Sequence, residues 1–159
     1  MRKRIIGALP PAAPQAAAED WLRLEQVATV EVSSEESAHP VENALLLPGD
    51  PAGWRAGQPG PQSIRLIFDS PQALKRIRLL FVENEGARTQ EFVLRWSPDD
   101  GQTWREIVRQ QWNFSPHAAA QESEDYRVEL VGVTQLELSI VPDVSSGAAR
   151  ASLAQWCLA

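Results

Sequence analysis

From about residue 63 onward, apolar and polar positions alternate with a period of two, and turn-forming residues interrupt the alternation at short intervals. Ile64, Leu66 and Phe68 form one apolar row. Ile77, Leu79 and Phe81 form a second, with Arg76 and Arg78 on the opposite side. Phe92, Leu94 and Trp96 form a third, opposed by Glu91, Val93 and Arg95. Successive side chains of a strand point to opposite faces, so each row predicts a strand with one face in a core. Asp69-Ser70-Pro71 predicts a turn between the first two, and residues 115–123 predict a loop. Further strands are predicted at 29–33, 126–130, 135–141 and 151–158. About eight strands with almost no helical periodicity predict an all-β fold, an antiparallel β-sandwich of the jelly-roll kind.

The amino-terminal third is less regular. Residues 1–18 are rich in proline and alanine and predict a flexible arm, leaving residues 19–159 as one domain. Residues 19–28 fit a short helix or a leading strand, and the period does not choose between them. Residues 34–60 predict a long loop that is nonetheless ordered, because Leu45, Leu46, Leu47 and Trp54 need burial.

Composition narrows the function classes. A chain of 159 residues is long enough for one full core. The net charge of −6 opposes nucleic acid and anionic membranes unless Arg76, Arg78 and Arg95 share a face. No apolar run approaches the roughly 20 residues of a spanning helix. The lone Cys157 excludes an internal disulfide and any multi-cysteine metal site. Arg2, Lys3 and Arg4 imitate the start of a secretory signal, but the apolar stretch ends at Pro10, so a cytoplasmic, monomeric protein is expected. Nucleophile elbow, phosphate-cradling loop and zinc-protease motifs are absent, and neither His39 nor His117 has a recognisable catalytic partner, so no enzyme is expected. Glu83 with Glu85, and Glu122 with Glu124 and Asp125, could pair as acid and base, but their turn-like, hydrophilic surroundings predict solvated surface charge.

Residues 90–112 are the most strongly patterned stretch: two strand-like runs flank Pro98-Asp99-Asp100-Gly101, a hairpin signature. The spacing of Ser97, Asp99, Gly101, Thr103 and Trp104 resembles the Asp box, a structural hairpin turn of sialidases and carbohydrate-binding sandwiches. Around it the chain carries, in order, Ser33-Ser34, His39-Pro40-Val41-Glu42-Asn43-Ala44-Leu45, Pro48-Gly49-Asp50, Trp54-Arg55-Ala56, the strands from Ile64 and Leu74, and Arg150-Ala151-Ser152-Leu153-Ala154-Gln155. This order, over residues 29–158, resembles the discoidin, or coagulation-factor type C, group of galactose-binding-like sandwiches. The first half also resembles the amino-terminal domain of the X-ray-repair cross-complementing scaffold protein. The resemblance implies a non-catalytic module that binds a sugar, a lipid headgroup or a protein through loops at one end. It also implies, in several members, a structural calcium held by an aspartate-glycine loop and a terminal glutamate. Here Pro48 and Gln155 replace expected carboxylates and leave Asp50 alone, so neither calcium nor another cofactor is expected.

Six tryptophans suit carbohydrate recognition, since an indole can stack on a sugar ring while its N–H bonds a hydroxyl. Trp54, Trp96, Trp104 and Trp156 fall at positions with structural roles, which leaves Trp21 and Trp112 open. Trp112, Asn113, Phe114 and His117 end a strand and enter a loop, and are the first candidates for gripping a polyol. Arg55, Arg88 and His39 complete the candidate set. A saccharide is the leading ligand; the alternative is a protein partner docked on a sheet edge or the loop end.

Overall fold

The computed structural model describes residues 20–115 and 117–159. The expected arm over residues 1–18 lies outside the described residues. Eight strands are present among them: β1 (Ala28–Val32), β2 (Trp54–Arg55), β3 (Gln62–Val82), β4 (Arg88–Ser97), β5 (Arg105–Phe114), β6 (Gln121–Val141), β7 (Ser152–Leu153) and β8 (Gln155–Leu158). Two one-turn helices, α1 (Leu24–Val27) and α2 (Glu42–Leu45), lie before β1 and within the long loop. Within 20–28 the helical reading holds: one turn, Leu24–Val27, runs straight into β1 at Ala28.

Strand pairing is antiparallel throughout, in the order β1-β3-β6-β4-β5, with β8 also on β3 and a separate pair β2-β7. β3 and β6 run together for 21 residues each and serve both layers of the sandwich. The first part of β3 pairs β1 and the second part of β6; its second part pairs β8 and the first part of β6.

Here the expected strand breaks are corrected. Asp69-Ser70-Pro71 does not end a strand, and 126–130 and 135–141 are parts of one strand. The register shifts three times between Ile67 and Arg76, and Gly132 on the facing strand takes φ 75°. Bulges with a proline and a positive-φ glycine bend the ribbon from one layer to the other without breaking it. Conversely, the strand expected at 151–158 is divided, because β7 pairs β2 while β8 pairs β3.

The predicted apolar rows face inward. Ile64, Leu66, Ile77, Leu79, Phe81, Phe92 and Leu94 are buried and pack with Trp54 and Trp156. The outer face carries a row of alternating charge that crosses all five strands: Glu31, Arg65, Glu137, Arg95 and Glu106 are successive partners. Glu137, 4% exposed, binds both Arg65 (2.6 Å) and Arg95, and both guanidiniums lie over the Trp104 ring at 5.1 and 5.4 Å. Arg76 and Arg78 sit on the layer that carries β8, not beside Arg95, so the condition for a basic nucleic-acid face is not met.

The Asp-box turn is structural, as expected. Ser97 Oγ donates to Asp99 Oδ1 (2.8 Å) and accepts the Gly101 N–H (2.8 Å), while Asp99 accepts the Thr103 N–H (2.8 Å) and hydroxyl (2.6 Å). These bonds, led by the Thr103 hydroxyl, hold the Asp99 carboxyl below its ordinary range. Asp100 (φ 58°) and Gly101 (φ 87°) both take the left-handed conformation that aspartate tolerates and glycine adopts without cost.

Candidate functional site

The long loop before β3, the β3–β4 turn and the loop before β7 meet at one end of the sandwich and enclose a cleft. Its floor is sequence-determined. Trp54 is 1% exposed and donates Nε1–H to the Ser34 carbonyl (3.0 Å), which pins the long loop to the core. Gly53 (φ 65°) lets the chain pass so close to β7 that a β-carbon there would lie 2.8 Å from the Leu153 carbonyl. His39 is fixed by its Nδ1 at 3.0 Å from the Ala52 carbonyl.

Two chambers open above this floor. The first, about 170 Å³, is lined by His39, Arg55, Asn84, Arg150 and Ser152 among others. The second, about 320 Å³, adds Arg88, Asp143 and the small residues Gly86, Ala87, Ala148 and Ala149. Arg55, Glu83, Glu85 and Arg150 border both.

The walls are held by ion pairs. Glu36 Oε1 lies between Arg55 Nε (3.4 Å) and Arg150 Nη1 (2.8 Å), and Arg55 Nη2 reaches Glu85 Oε2 (3.2 Å). The Arg55 Nε–H is not aligned on Glu36 and is a buried donor without a hydrogen-bond partner. Arg88 donates to Glu83 Oε2 (2.6 Å), Gln90 Oε1 (3.0 Å) and the Pro142 carbonyl (2.7 Å). Burial alone would raise the Glu83 carboxyl, but the Arg88 bond and the Glu85 and Gly86 backbone N–H groups outweigh it, so Glu83 stays ionised below the ordinary range. Bonding to Glu85 raises the Arg55 pKa in turn.

Of the residues singled out from sequence, His39, Arg55 and Arg88 converge here. The others do not. Phe114 is 2% exposed and lies beneath the Arg88 guanidinium, 4.7 Å from its ring centre, so it is core and not a stacking surface. Its buried position at the end of β5 follows from the inward row it shares with Trp112, Gln110 and Val108. Trp112 is half-buried against the core, with its Nε1 enclosed and unpartnered. Asn113 points the other way and accepts the Thr89 hydroxyl (2.7 Å) across the hairpin. His117 is exposed in the turn closed by the Ser115–Ala119 bridge. Arg88 also departs from the expected loop residue: it begins β4 and is 7% exposed. Asp50 accepts the Ala52 N–H (2.8 Å) and caps its own turn; among the described residues no three His, Cys, Asp or Glu side chains gather to hold a metal.

Sequence reasoning missed Asn84, Arg150 and Asp143, and misread Glu83 and Glu122 as solvated; Glu83 is largely enclosed and Glu122 is 1% exposed, whereas Glu85 is solvated as expected. Glu83-Asn84-Glu85-Gly86 looks like any polar turn, and only its meeting with Arg55 and with the loop before β7 gives it a role.

A jelly-roll sandwich with a polar cleft among its end loops defines the class of β-sandwich binding modules. Within that class the chain belongs to the F5/8 type C domain family, whose sequence profile matches residues 29–135. No curated protein matches the chain. Solved structures share its fold. A third family 32 CBM domain from a family 31 glycoside hydrolase of Clostridium perfringens is 18% identical with a TM-score of 0.65, covering 90% of this chain and 96% of that one. The family 32 CBM of C. perfringens NanJ, solved with galactose, is 12% identical with a TM-score of 0.64, covering 87% and 96%. A family 32 CBM of C. perfringens solved with GalNAc-β-1,3-galactose is 20% identical with a TM-score of 0.57, covering 87% and 99%.

Proposed function

We propose that this chain is a non-catalytic saccharide-binding module that holds its ligand in the loop-end cleft. The observation that carries the reading is the convergence of His39, Arg55, Asn84 and Arg150 on one chamber, with guanidinium and amide donors beside carboxylate acceptors. Hydroxyl groups are both donors and acceptors, so a polyol uses both kinds of wall. Sugar-bound neighbours of the same fold support it. Catalysis finds no support in the cleft: Glu83 is held ionised by Arg88, and the Ser152 hydroxyl is turned to the Val82 carbonyl (3.4 Å). Under this reading the module acts as a cytoplasmic monomer without a cofactor.

Glycan-array screening followed by titration calorimetry tests it. Asn84→Ala and Arg150→Ala should each weaken saccharide binding by about tenfold, the loss of one good hydrogen-bonding group; Asn84→Ala should leave the melting temperature unchanged, and Arg150→Ala, which also removes the partly exposed pair with Glu36, should cost no more than about 1 kcal/mol of stability. Binding that persists in both variants would remove the cleft from the argument.

A protein-docking role is the second reading, and a different place favours it. β1 is an edge strand, and beside it Leu24, Val30, Leu45, Leu46 and Leu66 line an apolar groove of about 110 Å³. Exposed strand edges recruit extended peptides. Affinity capture that is lost on Val30→Pro, together with a silent glycan array, would favour this reading over the first.

A further inference from the structure

The layer formed by β8, the second part of β3 and the first part of β6 has an outer face that the cleft does not use. On it Arg76 of β3 stands directly across the ladder from Arg127 of β6, and Arg78 stands across from Asp125. Like charges placed opposite each other on one face of a sheet repel and weaken the pairing. Asp125 does not relieve this evenly. Both of its oxygens go to Arg76, on the diagonal, at 2.9 and 2.5 Å. Trp21 then closes over Arg76, whose guanidinium lies 4.8 Å from the ring centre. Arg76 is thereby neutralised and fixed, while Arg78 and Arg127 have no ion-pair partner among the described residues.

The three arginines nonetheless act on one spot. The Arg76 bond holds the Asp125 carboxyl below its ordinary range against the effect of burial, and the charges of Arg76, Arg78 and Arg127 add to it. Exposed Lys75 supplies a further cation, and exposed Glu129, two residues beyond Arg127, an anion. We propose that this face docks an acidic segment of a partner protein, with Arg78 and Arg127 each taking one of its carboxylates. None of these residues lines the cleft, so the proposal is independent of what the cleft holds.

Charge complementarity sets the occupant. Diagonal neighbours on a ladder lie about 7–8 Å apart at the backbone, and long side chains reach across that gap. Two carboxylates of one short segment can therefore each meet a guanidinium fork, which binds a carboxylate through two parallel N–H···O bonds. The neighbouring strand edge is already taken: the Leu22 N–H donates to the Leu158 carbonyl (2.7 Å), so the partner meets the side chains of the face. A long polyanion is a poorer fit. Duplex DNA draws its affinity from about six to ten phosphate contacts, and two free guanidiniums with one lysine supply few of them. Beyond the patch, a duplex or an anionic bilayer meets Glu129 and a chain of net charge −6. A short acidic segment covers the patch and stops there.

Fluorescence anisotropy of the whole chain with a fluorescein-labelled hexaglutamate peptide tests this. The peptide should bind, and a hexaglutamine peptide should not. Arg78→Gln and Arg127→Gln should each weaken hexaglutamate binding by about tenfold, the loss of one charge-assisted pair, with the melting temperature unchanged or raised. Should a glutamine variant fold poorly, Arg78→Lys keeps the charge, loses the fork and should weaken binding by about threefold. Arg109→Gln removes the same charge from an exposed position on β5 and should stay within about twofold of wild type. Absence of binding at millimolar peptide, or equal losses for Arg109→Gln and the two face variants, would overturn the proposal. So would tighter binding of duplex DNA, or of phosphatidylserine vesicles, than of hexaglutamate.

Discussion

Glu122 sits where a carboxylate is hard to keep. It is 1% exposed on β6, opposite Phe81 of β3. One oxygen lies 3.5 Å from the Gln90 amide, and the other has no partner. Burial, then the neighbouring Glu124, raise its pKa from 4.5 to about 8; Gln90 and the Arg88 charge pull weakly the other way. Because the folded value exceeds the unfolded one, the folded state binds the proton more tightly. Stability is therefore highest below pH 4.5, falls as pH rises through the window from 4.5 to about 8, and is flat above it.

The size of the fall can be worked out. A shift from 4.5 to about 8, at about 1.4 kcal/mol per pH unit, sets a ceiling of about 5 kcal/mol. Local opening that hydrates the carboxylate lowers this, and we expect about 3 kcal/mol, since real burial penalties relax to several kcal/mol per ion. Glu122→Gln keeps the shape and removes the titration. Urea unfolding followed by tryptophan fluorescence at pH 5 to 9 should show wild type losing about 3 kcal/mol more than the variant across that range, with equal m-values. Parallel stability curves would refute the reasoning, because a hydrated or ion-paired Glu122 would give no difference.

Glu137 should show the opposite sign. Burial would raise it, but bonds from Arg65 and Arg95 outweigh that and hold its pKa below the ordinary value. Its contribution is present above pH 4.5 and lost as pH falls through its lowered folded value, so Glu137→Gln should cost about 2 kcal/mol at neutral pH, discounted for the half-exposed arginines, and progressively less as pH falls below 4.5, measured by the same unfolding assay. Ser97→Ala removes three bonds of the β4–β5 turn from a fully buried hydroxyl, and should cost about 1–3 kcal/mol in thermal or urea unfolding. Phe114→Ala should cost about 3–5 kcal/mol by leaving a cavity under Arg88, and should affect saccharide titration only through folding.

The division between what sequence disclosed and what it hid has a physical cause. Alternation is a local property, so the inward faces of β3 and β4 and the 97–103 turn were legible from neighbours two or four residues apart. The bend that joins two expected strands into one was not, because Pro71 and Gly132 look like strand ends until each is seen facing the other strand. The cleft is harder still. Arg150 and Glu36 lie 114 residues apart, and Arg55 and Glu85 lie 30 apart, so no window of sequence contains a wall of the site. Aromatic residues misled for the same reason. Trp112 and Phe114 look like ligand contacts because they precede a loop, yet strand period places them on the inner face with Val108 and Gln110. The same period, continued two residues past where the strand appeared to stop, assigns Phe114 to the core. What remains for recognition is then the polar residues of the loop end. The surface that faces the cleft presents guanidiniums, carboxylates and an amide, and the indole that lines it, Trp54, is already committed to Ser34.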